Sequence, residues 1–496
     1  MRIVIIHSPP HGEVPFRNIG LTYLYSILKN NYDTEYVDIS YIEDNKKTDY
    51  YKEMIEYLSQ KVGRVGDLPD LSLLLSVIFP EYFNKTTTIA ELILKKVDRY
   101  FEILKDRGDI FLFSNNVLTM YFSSALAKRL KQYGKITIGG GTTTHFIPFT
   151  RFALFSMIYD FVVIGEGEEV LPSLLNDIIR REYPQIAGVY YKKGDNIIGK
   201  GRHYNRDINK PEKVDLSGNI IKDFIPIIAG RGCPHRCRFC SESYYWKRFR
   251  IRNVESVIDE MYYQYGLYGI KDFHFHDDAI NANLHWFDNF IKKLAIRSVG
   301  FRWESFCTPY GLHKRRLELM KESGCVLLKM GVQSFSDNVL RRMGRPSNSA
   351  TVLNTILNSV KIGISMHFDL LTCFPGETEK DHKENIKALK RIYDFSNKVY
   401  FSPNPFYLST GSYTMMKPKE YNIKMKYFDC DPLPTNLSQI VEKSGKFPDS
   451  FEYGIDTQTV RKRLDDYHKI LIGQNKDYLF LGRKKAISPK SSEDPL

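Results

Sequence analysis

Short apolar runs alternate with helix-period stretches along the first 200 residues. The run IVIIH after Arg2 predicts a strand, followed by a Pro- and Gly-rich loop (SPPHGEVPFRNIG). LTYLYSILKNNY then places apolar residues at helical spacing, and TEYVDIS (34–40) predicts a second strand. From Glu43 to Arg107 the pattern is polar and helical with one apolar centre at 71–83, so an inserted helical segment is expected at about 43–107. DIFLFSN (109–115) returns to strand, and SSALAKRLKQYG is an amphipathic helix stopped by Gly134. KITIGGG (135–141) and DFVVIGEGEE (160–169) are two further strands that each run into a glycine turn. Strand–helix alternation with glycines at strand ends predicts an α/β domain over 1–200, a doubly wound, Rossmann-like parallel sheet. Ligands of such sheets sit beyond the carboxyl ends of the strands. IAGVYYKKGDNIIGK predicts a hairpin around Gly194 and Asp195, and a linker is expected near 200–222.

A second series begins at Phe224. DFIPIIAGRG, IKDFHFHDD, FRWESFC, VLLKMGVQS, SMHFDLLTCFPGE and VYFSPNPFY are apolar runs separated by helix-period stretches. Six strand–helix steps between Phe224 and Tyr407 amount to three-quarters of an eight-unit barrel, a partial (β/α)6 TIM-type domain over 222–405. Beyond Phe406 the chain is rich in Pro, Asn and Lys with weak helical pieces. This is a C-terminal extension, 406–496, whose polar tail, 484–496, is expected to be disordered and dispensable. No repeat at a period of 20–50 residues is present.

Composition narrows the chemistry. Apolar residues are 43% and charged residues 26% of the 496-residue chain, which excludes a disordered tail protein, a collagen-like fibre and a coiled coil. The longest apolar run, Leu71 to Phe79, falls far short of the ~20 residues of a membrane helix, and the start lacks a secretory core, so a cytoplasmic protein with no membrane partner is expected. The net charge of +13 fits either a solvated basic surface or an anionic partner. Without a Lys/Arg block of nucleic-acid type, the solvated surface is preferred.

Cysteine is the informative residue. Of seven, Cys233, Cys237 and Cys240 lie together as C-x-x-x-C-x-x-C directly after the strand FIPIIAG. In a chain of this size the cluster points to metal or catalytic use rather than to a disulfide framework. Three thiolates on one loop can hold three irons of a 4Fe–4S cluster and leave the fourth iron open. Zinc is the chemical competitor, but it wants four ligands in a closed site, and no second pair with ligand spacing exists. His235 inside the loop reads as solvent-facing. Cys307, Cys325, Cys373 and Cys430 read as packing residues.

The cysteine loop resembles that of the radical S-adenosylmethionine (SAM) superfamily, and the six steps resemble its partial barrel. The resemblance implies a 4Fe–4S cluster on Cys233, Cys237 and Cys240, with SAM on the open iron. It also implies SAM-binding roles for Phe239 in the loop and for Asp277 and Asp278 in FHFHDDAINAN. Gln333 and Ser334 in GVQSFSDNVLRRMGR, and Pro375, Gly376 and Glu377 in FPGETEKD, carry the same implication. The segments LFSNN, IGGGTTTHF and VIGEGEEVL resemble the cobalamin-binding domain often fused ahead of this barrel. They imply cobalamin against Ser114, Asn115, Gly139, Gly140, Gly141 and Glu166, the glycines letting backbone approach a large ligand. The string D-x-H-x-x-G of histidine-ligated cobalamin domains is absent. His7 and His11 read as surface or packing residues, and cobalt is bound without a histidine or the domain has lost its cofactor. Glu166 and Glu168 fit a solvated loop or the domain junction. Tyr244, Tyr245 and Trp246 fit a shield over the cluster or a wall of the substrate pocket.

The function implied is that of a cobalamin-dependent radical SAM enzyme, a methyltransferase at an unactivated carbon or phosphorus of a small molecule or peptide. It would be reduced by an external donor of flavodoxin or ferredoxin type. Rivals are cyclisation or rearrangement without methyl transfer, an RNA-modifying methylthiotransferase and a non-enzymatic sensor. The methylthiotransferase would need a second cysteine triad that the N-terminal domain lacks.

Overall fold

The computed structural model describes residues 1–8, 19–39, 54, 57, 70–83, 87–209, 213–216, 224–297, 299–396, 399–472, 477–480 and 483–486. The loop carrying His11, most of the expected insertion between 43 and 69, and residues 487–496 of the expected tail lie outside them.

The first domain is a sheet in the order β2-β1-β3-β4-β5-β6-β7. Strands β1 (Ile3–His7), β2 (Thr34–Asp38), β3 (Ile110–Ser114), β4 (Ile136–Gly140) and β5 (Phe161–Val163) are parallel, and the hairpin β6 (Val189–Lys193) and β7 (Asn196–Gly199) closes the edge antiparallel. Every residue of β1 is buried, as expected of a parallel strand covered by helices on both faces. The inserted segment is helical where described. Asp70 caps Leu71–Ile78 by accepting the Ser72 and Leu73 N–H groups, and Thr87 caps Thr88–Leu104. Both helices pack with Met120–Gln132 into one apolar core. His7 is buried with its Nδ1 3.0 Å from Asp38, so the packing reading holds for it.

The second domain is the partial barrel. Strands β8 (Ile225–Ile227), β11 (Asp272–Phe275), β12 (Arg302–Cys307), β13 (Cys325–Gln333), β14 (Ser365–Thr372) and β15 (Val399–Pro405) pair in parallel in chain order. A two-residue ribbon, β9 (Gly230–Arg231) with β10 (Arg250–Ile251), brackets the cysteine loop. Phe273, Phe275, Phe290 and Trp303 fill the layer between strands and helices.

The C-terminal extension departs from the expectation. The chain leaves β15, builds a lobe around the antiparallel pair β16 (Lys424–Tyr427) and β17 (Pro448–Glu452), and returns as the helix Thr457–Ile472. That helix packs on β15 and on the helix Glu379–Phe395, and its Tyr467 is fully buried in the barrel core. Residues 457–472 are therefore the sixth helix of the barrel, and the lobe is an insertion ahead of it. The lobe touches both domains. Phe447 meets Phe146 and Phe152 edge-on at 5.6 and 6.2 Å, and Phe406, Tyr421 and Phe451 cluster with Val339, Met343 and Phe374. The expected disordered tail is corrected at its start, where β18 (Asp477–Phe480) pairs with β19 (Arg483–Ala486). Where described, the expected linker is a strap: Arg202, Tyr204 and Asn205 together bond to both domains, and the Val214 carbonyl accepts from Gln264. Among the described residues no helix is long and apolar enough to cross a membrane.

Candidate active site between the two sheets

The cysteine loop is held from outside. Arg238 donates its N–H to the Met343 carbonyl (2.9 Å) and its Nη1 to the Tyr421 hydroxyl (3.1 Å), and the Thr414 N–H donates to the Arg238 carbonyl (2.9 Å). Phe239 is half-buried and packs against the apolar cluster of the lobe, which anchors the loop. On the inner side Arg345 donates from Nη1 to Cys237 Sγ (3.1 Å) and from Nη2 to the Gly331 carbonyl (2.5 Å). Burial pushes the Cys233 thiol up to about 11 and raises Cys240 further, so both thiols are protonated until a metal displaces the proton. Among the described residues no three His, Cys, Asp or Glu side chains close around a single ion, the arrangement zinc requires. A 4Fe–4S cluster instead takes one thiolate per iron, which three cysteines spread along one loop fit. His235 is half-buried, its Nε2 3.5 Å from Thr308 and its ring edge-on to Tyr310, rather than solvent-facing.

A cleft of about 450 Å³ opens between the carboxyl ends of the two sheets. Ser114, Gly140, His145 and the loop 165–168 line it from the first domain, and Gly230–Gly232, Glu242, Tyr245, Trp246, His276 and Asp278 from the barrel. Tyr245 and Trp246 are thus cleft walls, whereas Tyr244 lies under Arg202 at the junction and donates to the His145 carbonyl (2.9 Å).

The three glycines do different things. A Cβ on Gly139 would stand 2.7 Å from the Tyr159 ring, and Gly141 (φ +96°) would drive one into the Asn115 backbone, so packing within the protein requires both. A Cβ on Gly140 meets nothing closer than the Val163 carbonyl at 3.7 Å, so of the three cleft-lining glycines it is the one that packing within the protein does not require. Asn115 is fully buried. It donates to the Gly140 carbonyl (3.1 Å) and accepts from Tyr159 (2.9 Å), so it braces the strand ends at the edge of the cleft.

Glu166 is a junction residue. Its carboxylate takes Arg231 Nη1 (2.7 Å), both Nη atoms of Arg250 (2.7 and 2.8 Å) and the Asn205 N–H, and Glu168 pairs with Arg231 and accepts from Asn205 Nδ2 (2.8 Å). Glu166 lines the cleft while its carboxylate is taken up by these partners. Burial alone would raise Glu168, but Arg231 and Asn205 hold it below its ordinary value. Arg231 stands two residues before Cys233, so this buried network ties the cleft loop of one domain to the cysteine loop of the other.

The expected SAM residues divide. Asp278 opens onto the cleft, and burial raises its carboxyl, which lies near Glu242 and near Cys233 and Cys240. Asp277 is buried and accepts the Ala229 N–H (3.0 Å); burial pushes it up to about 7. Gln333 ends β13 at φ +70°, beside Gly331. Ser334, Pro375, Gly376 and Glu377 have protein partners instead of the cleft. The Ser334 hydroxyl donates to Asn385 (3.1 Å), the Pro375 carbonyl accepts from Arg342 (3.0 Å), and Gly376 packs on the Arg342 guanidinium. Glu377 is buried, accepting the Phe374 N–H (3.1 Å) beside Arg463 (3.5 Å). These residues shape the turns at the tops of β13 and β14.

A polar layer inside the barrel was not anticipated. His274 and Lys329 (2.9 Å) both bond Glu304, the His274 and His276 rings stand 4.5 Å apart, and His367 lies 2.8 Å from Ser402. Burial lowers the histidines, His367 to about 4. Alternation in FHFH carried the signal. Barrel interiors are ordinarily branched apolar side chains, so inward histidines mark a lumen built for polar contents.

With this geometry in hand, the comparisons are informative. Residues 227–389 match the Radical SAM superfamily. The chain is 26% identical over 361 residues to "Uncharacterized methyltransferase PH0819" of Pyrococcus horikoshii, covering 70% of this chain and 78% of that protein. It is 27% identical over 336 residues to bacteriochlorophyllide d C-12(1)-methyltransferase of Chlorobaculum tepidum, covering 66% and 69%. The structure of the radical SAM methyltransferase TsrM from Kitasatospora setae with cobalamin and a [4Fe-4S] cluster bound superposes with a TM-score of 0.65 at 15% identity, over 97% of this chain and 93% of that one. Cluster loop, barrel and forward sheet thus recur together in one solved fold. Residues 227–389 carry the radical SAM domain, and almost from end to end the chain shares its fold with that solved methyltransferase structure.

Proposed function

We propose that this chain is a cobalamin-dependent radical SAM methyltransferase acting at an unactivated carbon or phosphorus of a small molecule or peptide. The observation that carries the reading is the cleft, where the bare backbone of Gly140 faces the elements that bear the cysteine loop. Relatives named as methyltransferases support it.

Cys233, Cys237 and Cys240 would hold the cluster, Asp278 and Gln333 would stand beside SAM, and Gly140 and Ser114 would take the cobalamin. When bound, these groups supply one-electron cleavage of a sulfonium and a transferable methyl. The protein's own residues do the rest. The Arg345 guanidinium donates to a cluster ligand and offsets its negative charge. Tyr245 and Trp246 wall the cleft against water. Arg231 and Arg250 lock the two domains so that the groups in the cleft keep their spacing. Asp278 and Glu242 present carboxyl groups to whatever basic group enters between the sheets.

Anaerobic purification with iron, sulfide and cobalamin supplied tests the reading. Absorbance and EPR should report both cofactors, and Cys237→Ala should lose most iron and all SAM cleavage. Retained cleavage in that variant removes the cluster assignment. A product carrying one added methyl supports transfer, and an unchanged mass with a new ring supports cyclisation.

A further inference from the structure

The barrel interior below the cleft is open space. On β14 the side chains of Met366, Phe368 and Leu370 are buried in the core under the helices, while Ser365, His367 and Asp369 between them are only half-buried. On β12 Phe306 is 39% exposed between the buried Ser305 and Cys307. Helices cover the other face of these strands, so this exposure is to the lumen. The register sets Lys329 level with Phe306 on one side and His367 on the other, and His367 level with Tyr400. Glu304, one step toward the strand starts, is 1% exposed and bonds Lys329 Nζ (2.9 Å) and His274 through Oε1. Its Oε2, also buried, accepts no hydrogen bond among the described residues. The layer reaches the cleft at His276, whose ring stands 4.5 Å from that of His274.

Charge decides what fits this layer. Glu304 and Lys329 are neutral as a unit. Burial alone would raise Glu304, but His274 and Lys329 hold it below its ordinary value. Burial, with the Lys329 charge, lowers His274, His276 and His367, so each ring is neutral at pH 7 and brings one N–H donor and one acceptor. Asp369, one step nearer the cleft, is raised by burial. An entering carboxylate or phosphate would find the Lys329 cation already matched by Glu304, and an entering ammonium would meet Lys329 itself. A purely apolar group would seal off the ion pair and leave Glu304 Oε2 unbonded, a desolvation cost with no return. We propose that the lumen layer around Lys329 and Glu304 recognises the substrate, and that it selects a neutral amide-type edge (a carboxamide, lactam or peptide group) with an apolar body along Phe306. The N–H of such an edge suits Glu304 Oε2, and its carbonyl suits the N–H groups of Lys329 and the histidines. The proposal names the substrate class of the methyl-transfer site and rests on that reading only for what becomes of the bound molecule.

The experiment uses the full chain without iron and three probes that share one ring and differ in head group: benzamide, benzoate and benzylammonium. Titrations read by saturation-transfer NMR should rank benzamide first, with each charged probe about 10-fold weaker or worse. The double variant Glu304→Gln, Lys329→Met removes the ion pair at nearly constant volume and should weaken benzamide by about 10-fold, with circular dichroism unchanged. Phe306→Ala trims a ring that is already part exposed, so the fold survives it, and benzamide should bind about 3-fold weaker or worse. Competition by N-acetylphenylalaninamide assigns the edge to a peptide, and competition by pyrrolidinone alone assigns it to a small lactam; either supports the site. Benzoate or benzylammonium binding more tightly than benzamide overturns the substrate class. Absent benzamide binding, or equal binding in the unaltered protein and a folded variant, overturns the site. If the double variant does not fold, Phe306→Ala decides. No step needs iron, so a chain that binds no cluster sinks the cysteine reading and leaves this result standing, and the reverse holds as well.

Discussion

At the residue scale, neighbours with the same identity carry different duties. Gly139 and Gly140 stand side by side, yet one is required by a ring and the other by the cleft. Gly140→Val should leave iron content and melting temperature near those of the unaltered protein while cobalamin occupancy, read by absorbance, falls. Gly139→Ala should do the reverse, pressing on Tyr159 at about 1–3 kcal/mol of stability with cobalamin still bound. His145 offers a second measurement. It is 7% exposed, and burial with the nearby Arg202 pushes its imidazole down to about 3. A depressed folded value means the stabilisation is complete above about pH 6.5 and drains as pH falls toward 3. His145→Gln should therefore recover about 2 kcal/mol of relative stability between pH 7 and 5, read by urea unfolding at the two pH values. Equal pH slopes in both proteins would contradict the burial.

At the scale of elements, the strands could be read from the chain because parallel strands under two helical layers are continuous apolar runs, as IVIIH and IFLF are. The cysteine loop could be read because its spacing is local. Nonlocal partners hid the rest. Ser334 has the residue type of a ligand-binding turn, but Asn385, 51 positions on, takes its hydroxyl. Glu166 reads as a solvated loop residue until Arg231 and Arg250 arrive from 65 and 84 positions away. That network is where the two domains should be weakest to mutation. Glu166→Leu leaves Arg250 without its carboxylate and Arg231 with Glu168 alone, and should cost about 3–5 kcal/mol in chemical denaturation. Replacing Glu166, Arg231 and Arg250 together by apolar residues should cost less than the single change.

For the whole molecule, the residues after 406 are part of the barrel and its clasp, not a detachable cap. Tyr467→Ala should cost about 3–5 kcal/mol and loosen β15, seen as faster amide exchange along that strand. A cost under 1 kcal/mol would place the helix outside the core. The helix period of TVRKRLDDYHKILI is plain in the sequence. Which strand it covers is not, because about fifty residues of lobe separate it from β15. That separation also orders the birth of the molecule. The forward sheet is complete once Gly199 has been made, but the barrel cannot close before Ile472 leaves the ribosome. Until then five of its helices and all six strands wait with one apolar flank uncovered, and a vectorially synthesised chain folds its two halves tens of seconds apart at roughly 5–20 residues per second: the first during translation, the second after almost all of it.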